Sequence, residues 1–92
     1  MRRIRLVATP DLDARVYVVT LRERDFRATF EVPFRGRPAA EKDADRVLKK
    51  ARAVVGDLLE ELEISARGVE LALDVLALTP AAERVAPLRR AA

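Results

Sequence analysis

Hydrophobic and polar residues alternate most cleanly at residues 26–34. There Phe26, Ala28, Phe30, Val32 and Phe34 interleave with Arg27, Thr29, Glu31 and Pro33. A period of two is that of a strand with one face buried. Pro33 cannot donate to a ladder, so this strand is expected to lie at a sheet edge or to end near Pro33. Residues 15–22 predict a second strand, with Tyr17, Val19 and Leu21 on one side and Val16, Val18 and Thr20 on the other. Both sides are largely apolar, so it is expected to be central and covered on both faces. Residues 3–8 predict a first strand with Ile4, Leu6 and Ala8 on one face and Arg3, Arg5 and Val7 on the other. Thr9-Pro10-Asp11-Leu12-Asp13 reads as the turn that follows it.

In an antiparallel hairpin, paired residue numbers add to a constant. Setting Leu21 opposite Phe26, Val19 opposite Ala28 and Tyr17 opposite Phe30 brings the apolar residues of the second and third strands onto one face. The connection Arg22-Glu23-Arg24-Asp25 lacks the Gly or Asn of a two-residue primed turn, which predicts a four-residue loop.

The period then changes. From Pro38 to Ile64 the apolar positions Ala44, Leu48, Ala51, Val55, Leu58 and Leu62 recur at helical spacing, widened by Val47, Val54 and Leu59. This predicts one long helix over residues 38–64, with Pro38 in its first turn. Glu41, Asp43 and Asp45 suit the positive end of its dipole, whereas Asp57, Glu60, Glu61 and Glu63 sit at the wrong end. Gly56 inside the helix implies a bend or a close approach. Beyond Gly68, the alternation Val69, Leu71, Leu73, Val75 against Glu70, Ala72, Asp74 predicts a fourth strand over residues 69–78. Thr79-Pro80 resembles a helix cap and first residue, so a short helix ending at Pro87 and a loose basic tail are expected over residues 80–92.

The expected fold class is therefore α+β. It is a two-layer sandwich with an antiparallel sheet, β-β-β-α-β order and one long helix packed on one face. Residues 1–79 form the single domain. That order is too general to carry a function.

One helix covers one face. Val7, Val16 and Val18, joined by Leu76 and Leu78, point away from the face that carries Ile4, Tyr17, Val19 and Phe30. An apolar sheet face needs a cover. The candidates are the C-terminal segment, a second copy of the chain, or a different protein. A homo-oligomer, most simply a dimer, is the favoured partner.

Composition narrows the chemistry. The 92 residues include no cysteine and no histidine. Thiol chemistry, cysteine metal sites and the commonest general base are thereby excluded. With Ser65 the only serine and no histidine to activate it, a Ser-His-Asp arrangement is excluded as well. The glycines stand alone at 36, 56 and 68, so no phosphate loop forms. The pairs Asp11/Asp13 and Asp43/Asp45 resemble metal ligands only in spacing; a turn and a helix start explain them. No catalytic residue, metal or cofactor is expected.

The chain also lacks Asn, Gln and Trp, and its only Met is the first residue. Loss of heat-labile side chains together with 36% charged residues reads as a thermophile protein. No run approaches the roughly 18 apolar residues of a membrane span. The short basic-apolar start is not a signal peptide. A cytoplasmic protein without a membrane partner is expected.

Fifteen arginines against three lysines, with a net charge of +3, match GC-rich coding as readily as a function. Arg3, Arg5, Arg22, Arg24, Arg27, Arg35 and Arg37 are nonetheless the candidates for a phosphate-binding surface. The aromatic residues share the core side and offer no stacking platform for bases. The expected function is a non-catalytic, self-associating or protein-interaction module. Nucleic-acid binding through the Arg face is the first alternative. A small enzyme or ligand carrier working through carboxylates is the second.

Overall fold

Every second side chain from Ile4 to Ala8 is buried in the first strand of a computed structural model that describes residues 2–76 and 82–89. The elements are β1 (Arg2–Asp11), β2 (Val16–Arg22), β3 (Arg27–Pro33), α1 (Ala40–Glu61), β4 (Val69–Val75) and β5 (Ala82–Pro87). The protein is α+β: one five-stranded sheet in the order β3-β2-β1-β4-β5, with α1 packed on it.

The sheet is mixed, not antiparallel throughout. β1 pairs parallel with β4, while the other three ladders are antiparallel. The reason is the helical crossover, which returns the chain so that β4 runs the same way as β3, and hence as β1. Tyr17, Val19 and Leu21 of β2, Val32 of β3 and Leu71, Leu73 and Val75 of β4 join Ile4, Leu6 and Ala8 beneath the helix. From α1 the residues Ala40, Ala44, Val47, Leu48, Ala51, Val55 and Leu59 are buried, so most of the helical stripe read from the spacing packs, but its expected last member, Leu62, lies past the end of the helix and is 45% exposed.

β1 is longer than expected and takes Pro10 into the ladder opposite Tyr17. Pro10 has the same parity as Ala8, whose carbonyl accepts from the Leu76 N–H at 2.8 Å. Its missing N–H therefore faces the side where β4 has ended, and no sheet bond is lost. The turn after it is shaped by Asp11, whose Oδ1 accepts from the backbone N–H groups of Asp13 and Ala14, both at 3.1 Å.

The β2–β3 register differs from the expected one by two residues. Leu21 stands opposite Ala28, Val19 opposite Phe30 and Tyr17 opposite Val32. A slip of two keeps every side chain on its face, so the alternation alone does not distinguish the two registers. The loop still holds four residues, now Glu23–Phe26, closed by the Glu23 N–H donating to the Phe26 carbonyl at 2.9 Å. Phe26 leaves the strand and is buried at the end of the core, with the Arg2 guanidinium carbon 5.4 Å from its ring centroid.

α1 is shorter than expected at both ends. It starts after Ala39 and ends in a Schellman arrangement: Ile64 N–H donates to Leu59 O at 2.9 Å and Glu63 N–H to Glu60 O at 3.1 Å. Glu63 holds the left-handed position of that motif at φ 57°, where glycine is usual. Gly56 is not there for a close approach, since a Cβ at that position meets nothing within 4 Å.

The largest departure is β5. Residues 82–87 form a strand on β4, not a short helix. Arg84 anchors it from the helix side, with Nη2 3.0 Å from Glu41 Oε2 and Nε 3.4 Å from Asp45 Oδ1. Leu88 is no loose tail either: it is buried, and its N–H donates to Val69 O at 2.9 Å. The expected cap at Thr79-Pro80 and the last residues of the tail, 90–92, lie outside the described residues.

Candidate functional site

β5 occupies the sheet edge, so residues 82–89 do not lie over the face opposite the helix. Among the described residues nothing covers that face, and the two-sided cover expected for β2 is absent. Pleat parity places on it Val7 and Thr9 from β1, Val16, Val18 and Thr20 from β2, Ala72 and Leu76 at β4, and Val85 from β5. Val7 is 38% exposed, Leu76 40% and Val85 47%, while Val16 and Val18 are half-buried by their neighbours. Four of the five expected interface residues therefore share one open surface. The fifth, Leu78, lies outside the described residues. Ala72, on the polar side of the alternation in β4, and Val85, which belongs to a strand where a helix is expected, add to that surface. Val85 stands opposite Ala72 across the β4–β5 ladder.

The seven candidate arginines split. Arg3, Arg5, Arg22 and Arg27 lie on the open face, near the end where β1 begins, and Arg24 lies in the adjoining β2–β3 loop. Arg35 and Arg37 follow β3 at the opposite end. Arg3 is engaged, with Nη2 2.6 Å from Glu70 Oε1. Among the described residues the other basic partners in ion pairs are Arg2, Arg46 and Arg84. Arg5, Arg22, Arg24 and Arg27 thus have no acid at pairing distance. The face is not uniformly basic, because Glu31, Glu70, Asp74 and Glu83 project from it too.

A second polar cluster lies under the helix N-terminus. Asp43, only 6% exposed, occupies the apolar stripe of α1 four residues before Val47. Its Oδ2 accepts from the Tyr17 hydroxyl at 2.7 Å and from the Ala39 N–H at 3.3 Å, and its Oδ1 accepts from Arg46 Nη2 at 3.0 Å. Arg46 Nη1 also donates to the Pro33 carbonyl. Tyr17 packs edge-on against Phe34, with ring centroids 5.2 Å apart. Burial pushes the Asp43 carboxyl up, but the hydrogen bonds from Tyr17, Arg46 and Ala39 outweigh it and hold the group below the usual carboxylate range. Burial, then the hydrogen bond to Asp43, raises the Tyr17 phenol well above its ordinary value. Every donor and acceptor here already has a partner, and no buried side-chain polar atom among the described residues lacks one. The cluster fastens helix to sheet. Its sequence signal was an aspartate at a core position of the helix and a lone tyrosine on the core side of a strand.

Among the described residues no three acidic side chains converge as metal ligands would, and no helix is long and apolar enough to cross a membrane. Comparison with known proteins finds no family model, no curated protein and no solved structure that matches this chain.

Proposed function

We propose that this chain is a non-catalytic module that self-associates through the open face of its sheet. The observation that carries the reading is the placement of β5. The C-terminal strand extends the sheet edge and leaves Val7, Val16, Val18, Leu76 and Val85 facing outward. Stacking two such faces at about 10 Å would bury these side chains as the core of a sandwich is buried. A second copy suits the face because its arginines stand on β1, β2 and β3 and its acids, Glu31 apart, on β4 and β5, so one half can oppose the other half of a second copy. Composition adds a setting, the cytoplasm of a thermophile, in which charged, amide-free surfaces are favoured.

The nucleic-acid alternative draws on the row Arg5, Arg22 and Arg27, which has no acid at pairing distance among the described residues. The carboxylate enzyme lacks comparable support, since Asp43 is engaged by Tyr17, Arg46 and Ala39, and Asp11 by its own turn.

Light scattering after size exclusion tests the reading, with concentration read by refractive index because the chain has one Tyr and no Trp. The expected mass is twice the 10.3 kDa of one chain. Val16→Lys with Val18→Lys is expected to give a folded monomer. A wild-type monomer at every concentration, or a variant that keeps the wild-type mass, overturns the proposal.

A further inference from the structure

The open face carries two like-charged cross-strand pairs. Arg22 stands directly opposite Arg27 across β2 and β3, and Asp74 directly opposite Glu83 across β4 and β5. Like charges at opposed positions destabilise an antiparallel ladder. None of the four takes part in an ion pair among the described residues. A single such pair is unremarkable on a solvated surface. Here there are two, of opposite sign.

Their positions are related. In the order β3-β2-β1-β4-β5, the positive pair is centred between the first two strands and the negative pair between the last two. Each centre is one and a half strand spacings from β1, or about 7 Å at roughly 4.8 Å per strand. Val7 lies between them on β1, opposite Thr20 on one side and Asp74 on the other.

We infer that the occupant of the face is a second copy stacked about a two-fold axis running along β1, which turns the half of each copy that carries Arg22 and Arg27 onto the half of its partner that carries Asp74 and Glu83. This inference rests on the self-association proposed above and adds its geometry. A rotation about β1 exchanges the two halves of the face, so each like-charged pair is turned toward the half that carries the other, while Arg5, beside the axis on β1, faces its own mate. The exchange of halves is the self-matching an isologous interface requires. Val7 meets its own symmetry mate near the axis. Arg22 lies one step beyond the Leu6–Leu21 pair, while Asp74 is level with Val7. The resulting offset of two residues, about 7 Å along the strand, is within reach of long side chains that lean along the strand. The ion pairs select the orientation, and the aliphatic residues supply the burial. A phosphate backbone accounts for the arginine pair alone and leaves the acidic pair unexplained.

The test is charge exchange between two variants. Arg22→Glu/Arg27→Glu makes both halves of the face acidic, and Asp74→Lys/Glu83→Lys makes both basic. Each variant alone is expected to dimerise at least tenfold more weakly than wild type, with unchanged circular dichroism. Mixed in equal amounts they are expected to form a one-to-one heterodimer, identified by native mass spectrometry. A chain carrying all four changes is expected to recover the homodimer. If wild type is monomeric, self-association itself fails and this geometry with it. If wild type dimerises and the variants match its dissociation constant, the face associates but not about this axis. Loss of the homodimers without a heterodimer in the mixture also overturns it. So does an acidic variant that keeps wild-type mass but loses salt-sensitive binding to a labelled oligonucleotide, which reassigns the arginines to nucleic acid.

Discussion

The hydroxyl of Tyr17 donates to Asp43 at 2.7 Å inside the protein, joining the second strand to the first turn of the helix. Tyr17→Phe removes this donor and leaves one carboxylate oxygen with only the longer bond from Ala39. The expected loss is about 1–3 kcal/mol, the usual penalty for an under-satisfied buried polar group. Asp43→Ala is expected to cost more, because it leaves the Tyr17 hydroxyl without its acceptor and removes the partner of Arg46. Urea denaturation of the two variants checks the order.

The same pair sets the pH limits of stability. Asp43 titrates lower in the folded chain than in the unfolded one, so its contribution is complete above the ordinary carboxylate value. It is lost as pH falls through the folded value. Tyr17 titrates higher when folded, so its contribution is complete below the unfolded value of 10.0 and is lost as pH rises beyond it. Melting temperatures are expected to be flat between about pH 5 and pH 9 for these two groups, with a fall on each side. Tyr17→Phe is expected to flatten the alkaline fall.

Gly56 sits in the middle of α1 with open space where a Cβ would go. Gly56→Ala is expected to stabilise the protein by about 1 kcal/mol through helix propensity alone. For a chain of this size that corresponds to a melting-temperature rise of roughly 4–8 °C. No change in the melt would indicate a cost at this site that the packing does not show.

Glu63 ends the helix in the left-handed region, at φ 57°. Its charge also lies at the negative end of the helix dipole, where no basic residue occupies the last turn. Glu63→Gly relieves the Cβ conflict, worth about 1–2 kcal/mol per residue, against the extra entropy glycine loses on folding. A net gain of about 0.5–1 kcal/mol is expected, and Glu63→Ala is expected to bring less of it.

β5 is an edge strand of six residues, anchored by the exposed pairs of Arg84 with Glu41 and Asp45. Exposed ion pairs hold weakly and are screened by salt. Hydrogen exchange is expected to be fastest in β5 and slowest in β1, which is paired on both sides. Raising the salt is expected to widen the gap.

Parity and period were legible in the sequence. The clean alternation of Phe26 to Phe34 marked a strand with one buried face, Pro33 marked its edge or end, and the spacing from Ala44 to Leu59 marked the helical face that packs. Register was legible only to within two residues, because both alignments put Tyr17, Val19 and Leu21 on the core side. The bond between Glu23 and Phe26, and the seat of the Phe26 ring beside Arg2, favour the observed one. The fate of residues 82–87 was hidden because Thr79-Pro80 resembles a helix start and Pro87 a helix stop. The free edge of β4 and the reach of Arg84 to α1 override those signals. With residues 82–87 expected as helix, the sequence does not show Glu83 opposite Asp74, although the alternation in β4 already sets Glu70 and Asp74 away from the core.

The parallel pairing of β1 with β4 has a consequence for how the chain is made. Arg3 meets Glu70, a partner 67 residues further along. A ribosome releases the first strand long before the strand that flanks it exists. Until then β1 has only the β2–β3 meander beside it and an unsatisfied backbone edge on the other side. Folding is therefore gated by the emergence of the last third of the chain, and contacts of such long range make it slow for its length. A nascent chain stopped short of Val75 would present that bare edge to its surroundings.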